Sequence, residues 1–122
     1  MSKYLDISRN NCLLLLCFFT SSGFTPINFS QDLSIEDAAL KLREEWGLGL
    51  GPIDNLVAVV EQHGILVTTF NTRTDDVDAF SQLVETDIYD TFLIAYSSNK
   101  TSAARIHFDI AHELGHICLH EW

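Results

Sequence analysis

The chain has 122 residues, of which 47% are hydrophobic, and this size allows one small globular domain. Its 17 acidic and 7 basic residues give a formal net charge of −10. This charge argues against direct binding of nucleic acid, which needs a basic patch. An acidic protein can attract a basic protein partner, but simple solubility is the explanation of the charge that we prefer. Its 3 cysteines lack framework spacing, which argues against a secreted disulfide scaffold.

The beginning of the chain differs in composition from the rest. Its apolar run Cys12–Phe19 is too short to span a bilayer as a helix, so we expect no membrane segment. The run resembles a weak signal peptide, but Asp6 and the lack of a clear small-residue cleavage site favour a packing segment or the remnant of an upstream domain. We therefore expect a leader of residues 1–30, followed by a domain of residues 31–122.

Two apolar helices open the predicted domain. Ser34 begins a segment that resembles a capping box, and apolar residues at helical spacing follow it as far as Trp46, where Gly47 is a natural stop. After a loop, Asp54 can cap a second helix that closes at Gly64. The apolar stripes of both helices indicate packing in the core rather than chemistry.

The middle of the chain has the composition of strands. Apolar and β-branched runs predict strands at Ile65–Phe70, Ala79–Val84 and Phe92–Tyr96. The aspartate-containing segment Asn71–Asp78 lacks the glycine and glutamate of an EF-hand, which favours a solvated loop over a cation site. A last helix is predicted from about Ala103 to Leu119. This order predicts an α+β fold with helices on one side of a sheet of about three strands.

The last predicted helix contains the most specific pattern in the chain, His112-Glu113-x-x-His116. Residues four apart lie about 40° apart on one helix face, so two imidazoles there can hold one Zn²⁺ at roughly 2.0–2.1 Å. Glu113 can reach a water on the metal as the general base of a metal-assisted hydrolysis. The alternative is a core helix with partly buried histidines, and the rarity of a chance match favours the zinc site.

The residues around this motif resemble the signature of the ImmA/IrrE metallopeptidases. The similar stretch reads Arg105-x-His107-Phe108-x-x-Ala111-His112-Glu113-Leu114-Gly115-His116-x-x-Leu119-His120. The resemblance extends over about Ser34 to Trp122, with its specific part at the end. It implies a cytoplasmic zinc peptidase of prophage, mobile-element or stress regulation that cleaves or inactivates a helix-turn-helix repressor. His107 departs from the family pattern, which usually has a second arginine there.

A catalytic zinc needs three protein ligands, and the sequence offers two clear ones. His120 lies too far along the helix axis, Glu121 is near the helix end, and His107 points elsewhere. The resemblance implies a glutamate on a later helix as the third ligand, but the chain stops at Trp122, before any such helix. We therefore expect a fragment of a longer protein, which by itself binds metal weakly and lacks a complete hydrolytic site.

Four other residues of this helix have open interpretations. Gly115 costs roughly 1 kcal/mol against alanine in a helix interior, which either close approach of a substrate or tight packing on the sheet would explain. Asp109 can orient an imidazole or be a solvated helix residue. Arg105 can pair with an acidic group near the site or be an ordinary surface residue. Cys118 points about 200° away from His116, so we expect a buried apolar residue rather than a ligand.

Three functions are compatible with this sequence. The first is a zinc-dependent endopeptidase domain that acts on a protein substrate, a DNA-binding repressor, without binding nucleic acid or membrane itself. The second is a catalytically incomplete fragment that serves as a protein-binding or metal-sensing module. The third is a structural protein with a chance motif, which stoichiometric zinc would exclude.

Overall fold

The computed structural model describes residues 24, 27, 29, 32–71, 73–74, 76–99 and 102–119. The helices and strands in this part of the chain are α1 (Ile35–Glu45), α2 (Leu56–Gln62), β1 (Leu66–Phe70), β2 (Ala79–Val84), β3 (Thr91–Ser97) and α3 (Ala103–Leu119). The predicted α+β class, with the His-Glu-x-x-His helix last, is confirmed. Residues 1–23 of the predicted leader, including the apolar run Cys12–Phe19, lie outside the described residues.

Helix α1 begins and ends where its local sequence predicts. The Ser34 hydroxyl accepts a hydrogen bond from the backbone N–H of Asp37 at 3.1 Å, which satisfies one donor of the first turn. The helix is followed by Gly47 at φ +64°, a conformation that glycine adopts without steric cost. Trp46 then stacks on the ring of His63 with 4.0 Å between centroids, and this contact joins α1 to the end of α2.

The N-cap of helix α2 lies one residue later than predicted. The side chain of Asn55, rather than that of Asp54, accepts a hydrogen bond from the backbone N–H of Ala58 at 3.0 Å. Aspartate and asparagine are both favoured at the N-cap, so the sequence alone could not show which of the two neighbouring residues caps the helix. Gly64 follows the helix at φ +83° and turns the chain into β1.

The described strands form a sheet of order β1-β3-β2. β3 is parallel to β1 and antiparallel to β2, with Ser81 opposite Ile94 and Leu83 opposite Phe92. β3 lies at the centre, which explains why nearly all its residues are buried. β2 was predicted with its observed bounds, while β1 begins one residue later and β3 extends one residue further at each end than predicted.

The hydrophobic core lies between the sheet and the helices α2 and α3. Its buried members are Leu56, Val60, Ile65, Phe92, Ile94, Ile110, Leu114 and Ile117. α3 packs on β2 and β3, whereas α2 packs on α3 and β1. Phe24, which belongs to the predicted leader, packs edge-on against Phe92 at 5.5 Å between ring centroids. The proposed domain boundary at residue 30 remains a prediction.

Candidate metal centre

The two histidines of the motif face each other on α3. The Nε2 atoms of His112 and His116 are 3.1 Å apart, and the rings meet edge to face. Two nitrogens bound to one tetrahedral zinc at roughly 2.0–2.1 Å lie about 3.3 Å apart, so the observed separation suits a shared ion. His112 is exposed and His116 is half-buried. The pair therefore opens towards solvent although the same helix supplies core residues.

Glu113 completes a cluster of potential donors. A ring nitrogen from each histidine and a carboxylate oxygen of Glu113 all lie within 4.8 Å of one another. Within the described residues this is the one group of three such side chains that could hold a metal ion. Imidazole and carboxylate donors are those of zinc sites, so the residues present fit such an ion.

A residue of the sheet holds the carboxylate of Glu113 in place. Only 8% of this residue is exposed, and its Oε2 accepts a hydrogen bond of 2.8 Å from the Ser81 hydroxyl on β2. A buried carboxylate needs such a donor to offset its lost hydration. No sequence motif marks Ser81 as a site residue. Ser81 lies two residues before Leu83, so both side chains are on the face of β2 that meets α3. This spacing is the sequence feature that could have indicated Ser81.

An ion-pair network stands beside the cluster. Arg105 Nη2 lies 2.7 Å from Asp78 Oδ2, and Arg105 Nε lies 3.2 Å from Asp109 Oδ1. The hydrogen bond to Asp78 and the negative charge of Asp109 raise the pKa of the guanidinium. The interpretation of Arg105 as the partner of nearby acidic groups is therefore confirmed, and it ties the segment before β2 to α3.

Asp109 is not solvated, which corrects one of its two interpretations. The residue is 5% exposed, and its Oδ2 has no hydrogen-bond partner among the described residues. Among the described residues, no hydrogen bond joins Asp109 to an imidazole. Asp109 pairs instead with Arg105. Asp109 precedes His112 by three residues, so the two side chains lie on the same face of α3, about one turn apart.

A cleft of about 370 Å³ borders this site, and we call it the polar cleft. Its lining residues are Asp76, Val77, Asp78, Ala79, Arg105, Phe108, Asp109, His112 and Glu113. Two of them, Val77 and Phe108, are large apolar side chains that remain 45% and 61% exposed. The polar cleft thus combines charged groups with apolar side chains able to contact a ligand.

Gly115 and Cys118 lie on a different side of α3. A methyl group added at Gly115 would meet nothing within 4 Å, so tight packing on the sheet does not explain this glycine in the described part of the chain. Cys118 is half-buried and packs against the core, and burial raises the pKa of its thiol to about 11. Cys118 was expected to be a buried apolar residue; it packs against the core, but it is half-buried rather than fully buried.

The candidates for a third zinc ligand do not join His112 and His116 in the described residues. His107 lines an apolar groove between α1 and α3, together with Gly115 and Cys118, rather than the polar cleft. His120 and Glu121 lie outside the described residues. The third ligand of the resemblance, a glutamate on a later helix, therefore stays a prediction.

Comparison with known proteins identifies the family. Residues 60–121, about half of the chain, match the family described as the IrrE N-terminal-like domain, a peptidase family. This stretch contains the end of α2, the three strands and the whole of α3. No curated protein and no solved structure matches the chain. None of the helices in the described residues is long and apolar enough to cross a membrane. The chain belongs to the IrrE N-terminal-like family of metallopeptidase domains.

Proposed function

We propose that the chain provides the catalytic core of a zinc-dependent endopeptidase. The observation that carries this proposal is the pair of Nε2 atoms 3.1 Å apart on α3, with the carboxylate of Glu113 beside them. Two imidazoles at this spacing suit one zinc ion, and the family is one of metal-dependent peptidases.

The residues of the site then have separate roles. His112 and His116 hold the zinc through their Nε2 atoms. When bound, zinc supplies Lewis acidity, which lowers the pKa of a coordinated water towards about 7 and polarises a carbonyl. Glu113 accepts the proton of the attacking water and delivers it to the leaving amine, as a general base and then a general acid.

The substrate we propose is a protein segment in extended conformation. β2 pairs with β3 and with no other strand of the described sheet, so its outer backbone groups can pair with a peptide next to the polar cleft. The net charge of −10 favours a basic partner. DNA-binding repressors carry basic surfaces, which supports the cytoplasmic repressor substrate implied by the family resemblance.

A second function, binding without hydrolysis, is favoured by the closeness of Glu113 to the histidines. Because its carboxylate lies within 4.8 Å of both ring nitrogens, Glu113 can itself become the third ligand. Such a centre would sense metal or hold a protein, but it would leave no free base for hydrolysis. The position of the Glu113 carboxylate therefore distinguishes a hydrolytic centre from one that only binds metal.

Metal content and hydrolysis test the proposal together. We expect one zinc per chain by mass spectrometry after dialysis against excess metal. We also expect cleavage of a helix-turn-helix repressor by a version extended beyond Trp122 to include a later glutamate. Zinc without cleavage in both versions would favour the binding module. Absence of zinc at millimolar metal would contradict both functions.

A further inference from the structure

The contact between Ser81 and Glu113 joins two elements that are far apart in the chain. The two residues are separated by 32 positions, and the hydroxyl on β2 lies 2.8 Å from Oε2 of the carboxylate on α3. Ser81 is half-buried, and its neighbours on the same strand face, Ala79 and Leu83, have no side-chain donor. A serine at this position supplies a hydrogen bond that an apolar side chain would not.

The hydrogen bond from Ser81 holds a carboxylate that lies close to the two proposed zinc ligands. A Glu113 oxygen lies within 4.8 Å of the ring nitrogens of His112 and His116. At this distance, a carboxylate that changes its side-chain rotamer can become a ligand of the ion instead of a base beside it. A hydroxyl that donates to a carboxylate forms a strong, charge-assisted bond and restrains such a rotation.

We propose that Ser81 is a positioning residue that holds the Glu113 carboxylate beside the metal and prevents it from becoming a ligand. This inference rests on the proposed function, since it concerns the same zinc site. It assigns to the outer strand β2 a role in selecting between a hydrolytic and a merely metal-binding centre.

A double-mutant cycle on zinc affinity tests this role without any activity measurement. The four proteins are the unmodified chain, Ser81→Ala, Glu113→Gln and the double variant, with affinity measured by competition against a chromophoric chelator. With Ser81 present, Glu113→Gln should change the zinc Kd by less than about threefold, because the carboxylate is not a ligand. Ser81→Ala should tighten zinc binding on the order of tenfold, and the added Glu113→Gln should remove that gain.

Two further variants separate positioning from general damage. Ser81→Thr keeps a hydroxyl at the same carbon and should keep the original zinc affinity. Ser81→Cys has nearly the same size but a weak donor, so it should behave like Ser81→Ala. Ser98→Ala is the matched control: it removes a hydroxyl that donates to the Phe70 carbonyl at 3.1 Å, away from the site. This control should leave zinc affinity unchanged.

If a version extended beyond Trp122 hydrolyses its substrate, its kinetics supply a second measurement. Ser81→Ala should lower kcat about 10–100-fold with little change in KM, and Ser81→Thr should restore kcat. Stoichiometric zinc with no coupling between positions 81 and 113 would overturn the role of Ser81 and leave the zinc site intact. Loss of zinc binding in the unmodified chain would instead overturn the proposed function, and this inference with it.

Discussion

Two depressions on opposite sides of α3 have similar sizes and different chemistry. The polar cleft measures about 370 Å³ and the apolar groove about 330 Å³. The polar cleft contains His112 and Glu113, with an arginine paired to aspartates, whereas the groove meets mainly aliphatic side chains of α1 and α3. Volume therefore does not distinguish the candidate site from the groove. The convergent polar groups do, because binding and acid–base chemistry depend on them.

The largest effect that would distinguish the two sides is loss of the metal. His112→Ala or His116→Ala should weaken zinc binding more than about 100-fold, because a direct ligand should matter more than the outer-shell partners that cost 10–100-fold. Zinc content by mass spectrometry and competition titration measures this. His107→Ala, on the groove side, is the matched control and should bind zinc normally. Equal losses in all three variants would indicate general unfolding.

The next effect separates the base from the ligands within the polar cleft. Glu113→Gln in the extended, active version should lower the rate of peptide hydrolysis about 10²–10⁴-fold and retain zinc, because glutamine fills the same volume but cannot accept the proton. The rate is measured on a repressor-derived peptide, with bound zinc quantified in the same preparation. Surviving hydrolysis would mean that another group is the base. Lost zinc would mean that Glu113 is a ligand.

Thiol reactivity probes the groove side. Because burial raises the pKa of Cys118 to about 11 from an ordinary value of 9.0, the thiol stays protonated at neutral pH. Its thiolate fraction is then about a hundredfold below that of an ordinary cysteine. Alkylation by iodoacetamide at pH 7.5, followed peptide by peptide, should be slower by that factor than in the unfolded chain. The rate should rise as the pH approaches 11. Rapid labelling at pH 7.5 would contradict the burial of this residue.

The smallest effect concerns the glycine in the wall of the groove. Gly115→Ala should stabilise the fold by up to about 1 kcal/mol, because alanine is the better helix former and the added methyl meets open space. Urea unfolding measures the change. Zinc affinity should not change. If the variant of the extended protein is stable but hydrolyses its substrate poorly, close approach of the substrate explains why glycine stands at this position.

The sequence alone determined the elements whose signals are local. Helical spacing and the His-Glu-x-x-His motif predicted α3 with its observed bounds, and a short, mostly apolar run did the same for β2. Ser34 and Gly47 marked the ends of α1 because caps depend on a few neighbouring residues. These features need no knowledge of distant parts of the chain.

Tertiary structure decided which distant residues meet. The strand order β1-β3-β2 places β2 under α3, and this arrangement brings Ser81 to Glu113 and Asp78 to Arg105. The alternation of Ser81 with Leu83 indicates only a shared strand face, and an aspartate in a loop is ordinary, so the local sequence of neither residue identifies its partner on α3. Strand pairing and helix docking depend on burying apolar faces jointly across the whole domain. The surroundings of the Glu113 carboxylate therefore emerge only when the sheet and the last helix pack together.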